Sequence, residues 1–282
     1  MTPDASGNPR SIRARLLNRA RADRVEFQQL LTRFALERLL YRLSISTHRD
    51  QFLLKGALLF NLWYSAPHRA TRDVDFLGFG SDDLTRLESV FRDLCELAVA
   101  DGIVFDPQSV RAVEIRLHAN YGGIRVNLVG TLAGARCPVQ ADIGFGDAVT
   151  PDPEESTYPT LLADLPTPNL RVYPKPTVIA EKFHAIVELG MENSRMKDYF
   201  DLWVLLRDPD IDRSLVAKAI RATFERRQTM IPSDTPIGLS LDFSADALKQ
   251  SQWRAFATRN GLQVPELAEV VAQLRERFDD LR

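Results

Sequence analysis

The chain has 282 residues, 45% of them apolar and 26% charged, with a net charge of −2. That is ordinary globular composition with length for one large domain or two smaller ones, and it excludes a globally basic nucleic-acid binder, a membrane-spanning chain and a disulfide-stapled secreted module. The two cysteines, Cys95 and Cys137, sit on unrelated stretches and the four histidines are scattered, so zinc by Cys/His spacing is not expected and a reducing cytoplasm is.

In chain order, the first ten residues read as a floppy leader without a secretory-type apolar segment. Residues 10–24 carry Arg10, Arg13, Arg15, Arg19, Arg21 and Arg24 against a single Asp23. Such a run is either a solvated helix face or a local phosphate-contacting patch. Apolar spacing predicts two helices over residues 11–46. A short apolar run then meets Gly56 and continues as a helix that ends before Pro67. Residues 69–79 read as a strand. Residues 81–102 read as a helix with Ser81 as N-cap and Gly102 after its end.

Three strand-like segments follow, beginning at Ser109, Gly123 and Cys137, and read as an antiparallel meander. The five prolines between residues 147 and 170 predict an extended connector. From Pro174 the pattern is helical, over 176–190, 197–207, 212–228, 244–258 and 264–280. The expected class is α+β, with a mixed-sheet core and a helical C-terminal lobe, hence bilobed. The expected divisions are a helical arm (1–48), an α/β core (49–170) and the helical lobe (171–282). A doubly wound fold is disfavoured because the βα alternation is irregular.

The stretch RATRDVDFLGFG holds the chemistry. Strand side chains alternate, so Thr71, Asp73 and Asp75 share one face. Two neighbouring carboxylates repel unless a cation sits between them or they lie at a wet strand end. A D-x-D alone is a weak signal, but three further features strengthen it. Gly56 marks a strand-to-helix turn whose backbone N–H groups suit phosphate. Asp142, in VQADIGFGD, supplies a third acid on a later strand. Three carboxylates on adjacent strands would match a two-Mg²⁺ site, where one ion holds a triphosphate and the other activates a hydroxyl, and the third feature is the order of Gly turn, helix, D-x-D strand and lone acid.

Together LLKGALLFNLW, RATRDVDFLGFG, VQADIGFGD, PTVIAEKFHAIVELG and SRMKDYFDL resemble the nucleotidyltransferases of DNA polymerase β type. Within that superfamily they resemble the AbiEii/AbiGii-type toxins of bacterial type IV toxin–antitoxin systems. Two departures stand out: Ala57 occupies the place of a Ser or second Gly, and the spacing from Ala57 to Asp73 is longer than the superfamily's. The resemblance implies Asp73, Asp75 and Asp142 as metal ligands and catalytic residues. It implies Gly56, Ala57, Thr71, Lys182 and Asp201 as nucleotide-binding, with Lys182 and Asp198 also catalytic. Thr71 otherwise reads as a strand-forming Thr or as a regulatory hydroxyl, where a phosphate would disturb metal binding. Lys182 reads on its own as a snorkelling surface residue, and Asp198 and Asp201 as acids at a helix start. His184 is taken as structural.

The implied activity is Mg²⁺-dependent addition of nucleotide from an NTP to an RNA 3′ end, the tRNA acceptor stem, which would block translation. Arg13, Arg19, Arg226 and Arg227 are candidate RNA contacts. The implied partners are the NTP, the RNA and a cognate antitoxin, with the chain itself a cytoplasmic monomer. Two other classes fit the acid pattern: a nucleotide- or antitoxin-binding protein that keeps the fold without the chemistry, and a metal-dependent nuclease.

Overall fold

The computed structural model describes residues 7–64, 71–118 and 121–280. The chain divides into two compact units. One comprises residues 1–146 and 154–172, the other residues 147–153 and 173–282.

In the first unit, helix α1 (Pro9–Asp23) is opened by Asn8, whose side chain accepts from the backbone of Arg10 and Ser11. Ile12, Leu16 and Ala20 recur every four residues and form its buried stripe. Helix α2 (Phe27–Ile45) is buried nearly all round, which its lack of a polar face dictates. Three of its charged residues, Glu37, Arg38 and Arg42, are enclosed. Arg42 grips Asp101 through both guanidinium nitrogens, at 2.7 and 3.2 Å, donates to the Ile103 carbonyl and lies 4.8 Å from the Phe105 ring centre. Both members of the pair are at most 2% exposed.

The described strands are β1 (Phe52–Lys55), β2 (Asp73–Gly78), β3 (Ile103–His118), β4 (Tyr121–Leu132), β5 (Ala135–Phe145), β6 (Glu154–Thr157) and β7 (Asn169–Val172). They form one mixed sheet in the order β3-β4-β5-β2-β1-β7-β6. The meander β3-β4-β5 is antiparallel, as the sequence pattern predicts. β2 runs parallel to β5 and antiparallel to β1, which places the D-x-D strand in the interior of the sheet.

Three expectations are corrected. The stretch 147–170 is not simply a connector, because β6 and β7 pair with each other and β7 runs parallel to β1. β3 begins at Ile103 rather than near Ser109. It crosses Pro107 at a register shift on the outermost strand, where a missing N–H is tolerated. Helix α4 (Leu84–Glu96) is capped by Asp83, which accepts from Arg86 N at 2.7 Å, and not by Ser81. Asp83 sits directly before Leu84, the first helical residue, and Leu87, Val90, Phe91 and Leu94 form the buried stripe that follows.

The second unit is built from helices α5 (Lys175–Leu189), α6 (Met196–Leu205), α7 (Arg213–Arg226), α8 (Leu241–Ala245), α9 (Ala247–Asn260) and α10 (Leu267–Asp279). Phe183 stacks on Phe278 at 4.0 Å and packs against Phe224, joining α5, α7 and α10. The single helix expected over 244–258 is two: Asp246 caps α9 by accepting from Lys249 N, which restarts the helix there.

The Arg42–Asp101 pair generates a test. Removing one partner leaves the other charge buried and uncompensated. Asp101→Ala should lower the stability of the fold by about 3–5 kcal/mol in chemical denaturation. A loss below about 1 kcal/mol would show that the pair is not fully desolvated.

Candidate active site

β2 alternates as the sequence predicts. Val74 and Phe76 are buried on one face, while Asp73 and Asp75 are half-buried on the other. Register then sets their neighbours. Asp75 stands opposite Lys55 of β1 and opposite Asp142 of β5, and Asp142 stands opposite Arg125 of β4. Four strands thus present a row of cation, acid, acid, cation. One step along, Asp73 stands opposite Gln140. Thr71 precedes the strand, and its hydroxyl donates to the Asp73 carboxylate at 2.6 Å. That bond fixes the orientation of the carboxylate.

The turn after β1 closes on this row. Gly56 has φ +73°, and a Cβ built there would lie 1.9 Å from Asp75 Oδ2. Only glycine permits both the backbone conformation and the close approach. The following segment is a 3₁₀ turn over Gly56–Leu59 and a single α-helical turn, α3 (Phe60–Trp63), so the longer helix expected here is corrected. Ala57, Leu58 and Leu59 are buried, so the backbone is the polar surface this turn offers a ligand.

Asp142 is held differently. Arg125 donates to it through Nε and Nη2, both at 2.8 Å, and Gln140 Nε2 lies 3.3 Å from its Oδ1. The hydrogen bonds to Asp142, and then the charges of Asp142, Asp73 and Asp75, push the Arg125 guanidinium above its already high ordinary pKa. Among the described residues, no group of three or more His, Cys, Asp or Glu side chains converges on a common point suited to a metal. The donor chemistry nevertheless fits a hard divalent cation: carboxylate oxygens on one face of adjacent strands, with like charges directly opposed. Asp73 and Asp75 are the half-buried pair. The expected third ligand, Asp142, has both oxygens engaged by Arg125. Arg125 and Gln140 are absent from the sequence reading. Arg125 occupies a polar position between Ile124 and Val126 in a β-alternating run, but only the register shows which acid it faces.

The second unit holds its own cluster. Lys182 of α5 reaches Asp198 at 2.8 Å and Asp201 at 2.7 Å, both on α6, and Asp198 also accepts from Arg195. Asp198 and Asp201 have no exposed side-chain surface, and Lys182 is 12% exposed. The snorkelling alternative for Lys182 therefore fails, since the side chain turns inward to two acids. Both carboxylates are fully enclosed around Lys182, which leaves them no surface for a nucleotide; the resemblance also gives the KDYFDL acids the role of orienting Lys182. Burial works against ionisation of Asp198, but Lys182 and Arg195 outweigh it and hold its pKa well below the ordinary 3.8.

The candidate RNA contacts separate. Arg13 and Arg226 are exposed. Arg19 pairs with Asp23 and donates to the Leu161 carbonyl. Arg227 is corrected: its side chain is 6% exposed, pairs with Asp147 at 3.1 Å and lies 3.1 Å from His184 Nδ1, so it faces inward. His184 is buried and bonded to Thr229 through Nε2 at 2.9 Å. Arg227 and the Glu188 carboxylate, at 3.6 Å, both lie beside its Nδ1, and this enclosed setting fits a structural role.

A mixed sheet carrying a D-x-D strand beside a third acid, with a glycine turn packed on it, is the layout of a nucleotidyl-transfer core. A family model described as "Nucleotidyl transferase AbiEii toxin, Type IV TA system" matches residues 38–281, and the chain belongs to that family. It is a nucleotidyltransferase. No curated protein matches the chain. Among solved structures, a protein from H. pylori provisionally described as a nucleotidyltransferase is 16% identical, with a TM-score of 0.52 over 91% of this chain and 96% of that one. JHP933 from Helicobacter pylori is 15% identical, with a TM-score of 0.49 over 91% and 92%. At 16% identity the likeness to the first of these is one of fold. Among the described residues, no helix is long and apolar enough to cross a membrane.

Two tests follow from the geometry. Gly56→Ala combines a strained φ with a clash against Asp75, and should cost about 1–3 kcal/mol in denaturant melts. A neutral result would show that the turn does not seat on Asp75. For Asp198, a depressed folded pKa means that its contribution to stability is complete above its ordinary 3.8 and is lost as the pH falls through the lowered value. Lys182→Met removes one of the two cations paired with Asp198 and raises that folded pKa. Acid unfolding should then begin at a higher pH than in the parent, and an unchanged acid limb would contradict the pairing.

Proposed function

We propose that the chain transfers a nucleotide from an NTP to the 3′ end of an RNA, the acceptor end of tRNA, in a Mg²⁺-dependent reaction that stops translation, and that a cognate antitoxin restrains it. The observation that carries this reading is the direct opposition of Asp75 and Asp142 in register, with Gly56 packed against Asp75. Two like charges opposed inside a sheet cost stability that a structural role would not require. In a member of this family, a cation-binding role accounts for them.

In this reading residues 49–170 carry the chemistry. Asp73 and Asp75 hold the divalent cations, and Asp142 is the third ligand. Mg²⁺ bound there supplies positive charge for the triphosphate and lowers the pKa of the attacking hydroxyl. Thr71 keeps the Asp73 carboxylate turned toward its ligand. The backbone of the Gly56–Ala57 turn offers N–H groups to phosphate oxygens. The RNA 3′-oxygen forms a bond to the α-phosphorus, the α–β bridging bond breaks and pyrophosphate leaves. Lys182, fixed by Asp198 and Asp201, contributes a compact positive charge to triphosphate binding. Residues 1–48 supply the exposed Arg13 as a backbone contact for RNA, and Arg226 of residues 171–282 supplies another.

The test is incubation with Mg²⁺, total tRNA and each α-labelled NTP in turn. Label is expected on RNA lengthened at its 3′ end, and Asp73→Asn or Asp75→Asn should reduce it to background while leaving the fold intact. No label from any nucleotide would overturn the reading, and shortened RNA would point to a nuclease.

A further inference from the structure

We propose that Arg125 is an internal counter-cation that occupies Asp142 in place of metal, and that a divalent cation loads at Asp142 only when Arg125 lets go. The inference rests on the reading of Asp142 as a metal ligand.

The geometry is that of a competitor. Arg125 uses its Nε and Nη2 as a fork on the two oxygens of Asp142, each at 2.8 Å. Those are the lone pairs a cation would take, and the fork is the strong, geometrically specific form of this contact. Gln140 adds a weaker contact to Oδ1 at 3.3 Å. The two partners differ in freedom. The Asp142 side chain is 9% exposed and β5 is paired on both sides, by β4 and β2. The Arg125 side chain is 36% exposed, so it can swing into solvent while Asp142 stays in place.

The charge balance gives a reason for the arrangement. Asp142 stands opposite Asp75 with Asp73 on the same face. Without a cation, these acids would repel one another across adjacent strands. Arg125 relieves that repulsion while metal is absent, and it taxes metal binding by the same amount. Arg125 is thus a positioning residue: it sets the affinity for metal by acting on a ligand.

The test uses Mn²⁺ as the probe, with its affinity for the full chain measured by calorimetry and by the loss of its free-ion EPR signal. Arg125→Gln should bind Mn²⁺ roughly tenfold more tightly than the parent, the worth of a charge-assisted pair no longer to be broken. Its melting temperature without metal should fall, and the rise on adding Mn²⁺ should be larger than in the parent. If Arg125→Gln does not fold, Arg125→Lys carries the test, with a smaller tightening expected because Lys keeps the charge but lacks the fork. In an Asp142→Asn background, Arg125→Gln should leave Mn²⁺ affinity unchanged. Equal affinity of parent and variant would overturn the inference alone. So would a tightening that persists in the Asp142→Asn background, since the effect would then be one of general field. Failure of every protein to bind Mn²⁺ would overturn the metal reading of the site and the inference with it.

Discussion

Two carboxylates, Asp75 and Asp142, face each other across adjacent parallel strands in the middle of a sheet. Much of the surrounding structure answers that repulsion. Lys55 and Arg125 flank the pair in the register, one on each side. Gly56 lets the chain fold back against Asp75 where any side chain would collide. Val74 and Phe76 anchor the strand from the opposite face, so the acids cannot escape by rotating the strand without exposing the core. A sheet selected only for stability would carry Val or Thr at these positions.

The same principle recurs in the helical unit with a different outcome. Lys182, Asp198, Asp201 and Arg195 form a network in which the acids are fully enclosed. Enclosed charges are costly to leave unpaired, so the network fixes the Lys182 ammonium in one place. Asp73 and Asp75 on the sheet are half-buried by contrast, while Asp142 beside them is buried and held by Arg125.

The parts of the site legible in the sequence were those that local pattern determines. Period-two alternation placed Asp73 and Asp75 on one face, the glycine after an apolar run marked the turn, and helical spacing set Asp198 beside Asp201. Contacts that depend on register or on packing between distant segments were not legible. Arg125 lies 17 residues from Asp142 along the chain, and its sequence neighbours do not identify the acid it meets. Arg227 read as a candidate RNA contact, yet Asp147, 80 residues away, draws it inward. β6 and β7 were hidden because four-residue strands among prolines carry too little periodicity to register, and pairing with β1 decides their state.

The central claim is that the Asp73–Asp75 face, closed by Gly56, is where metal and triphosphate meet. A crystal structure of the chain with Mn²⁺ and a non-hydrolysable NTP tests it most directly. The account predicts anomalous density within coordination distance of Asp73 and Asp75, with the nucleotide phosphates against the Gly56–Ala57 backbone. Mn²⁺ and nucleotide bound elsewhere, with these two carboxylates uncoordinated, would contradict it.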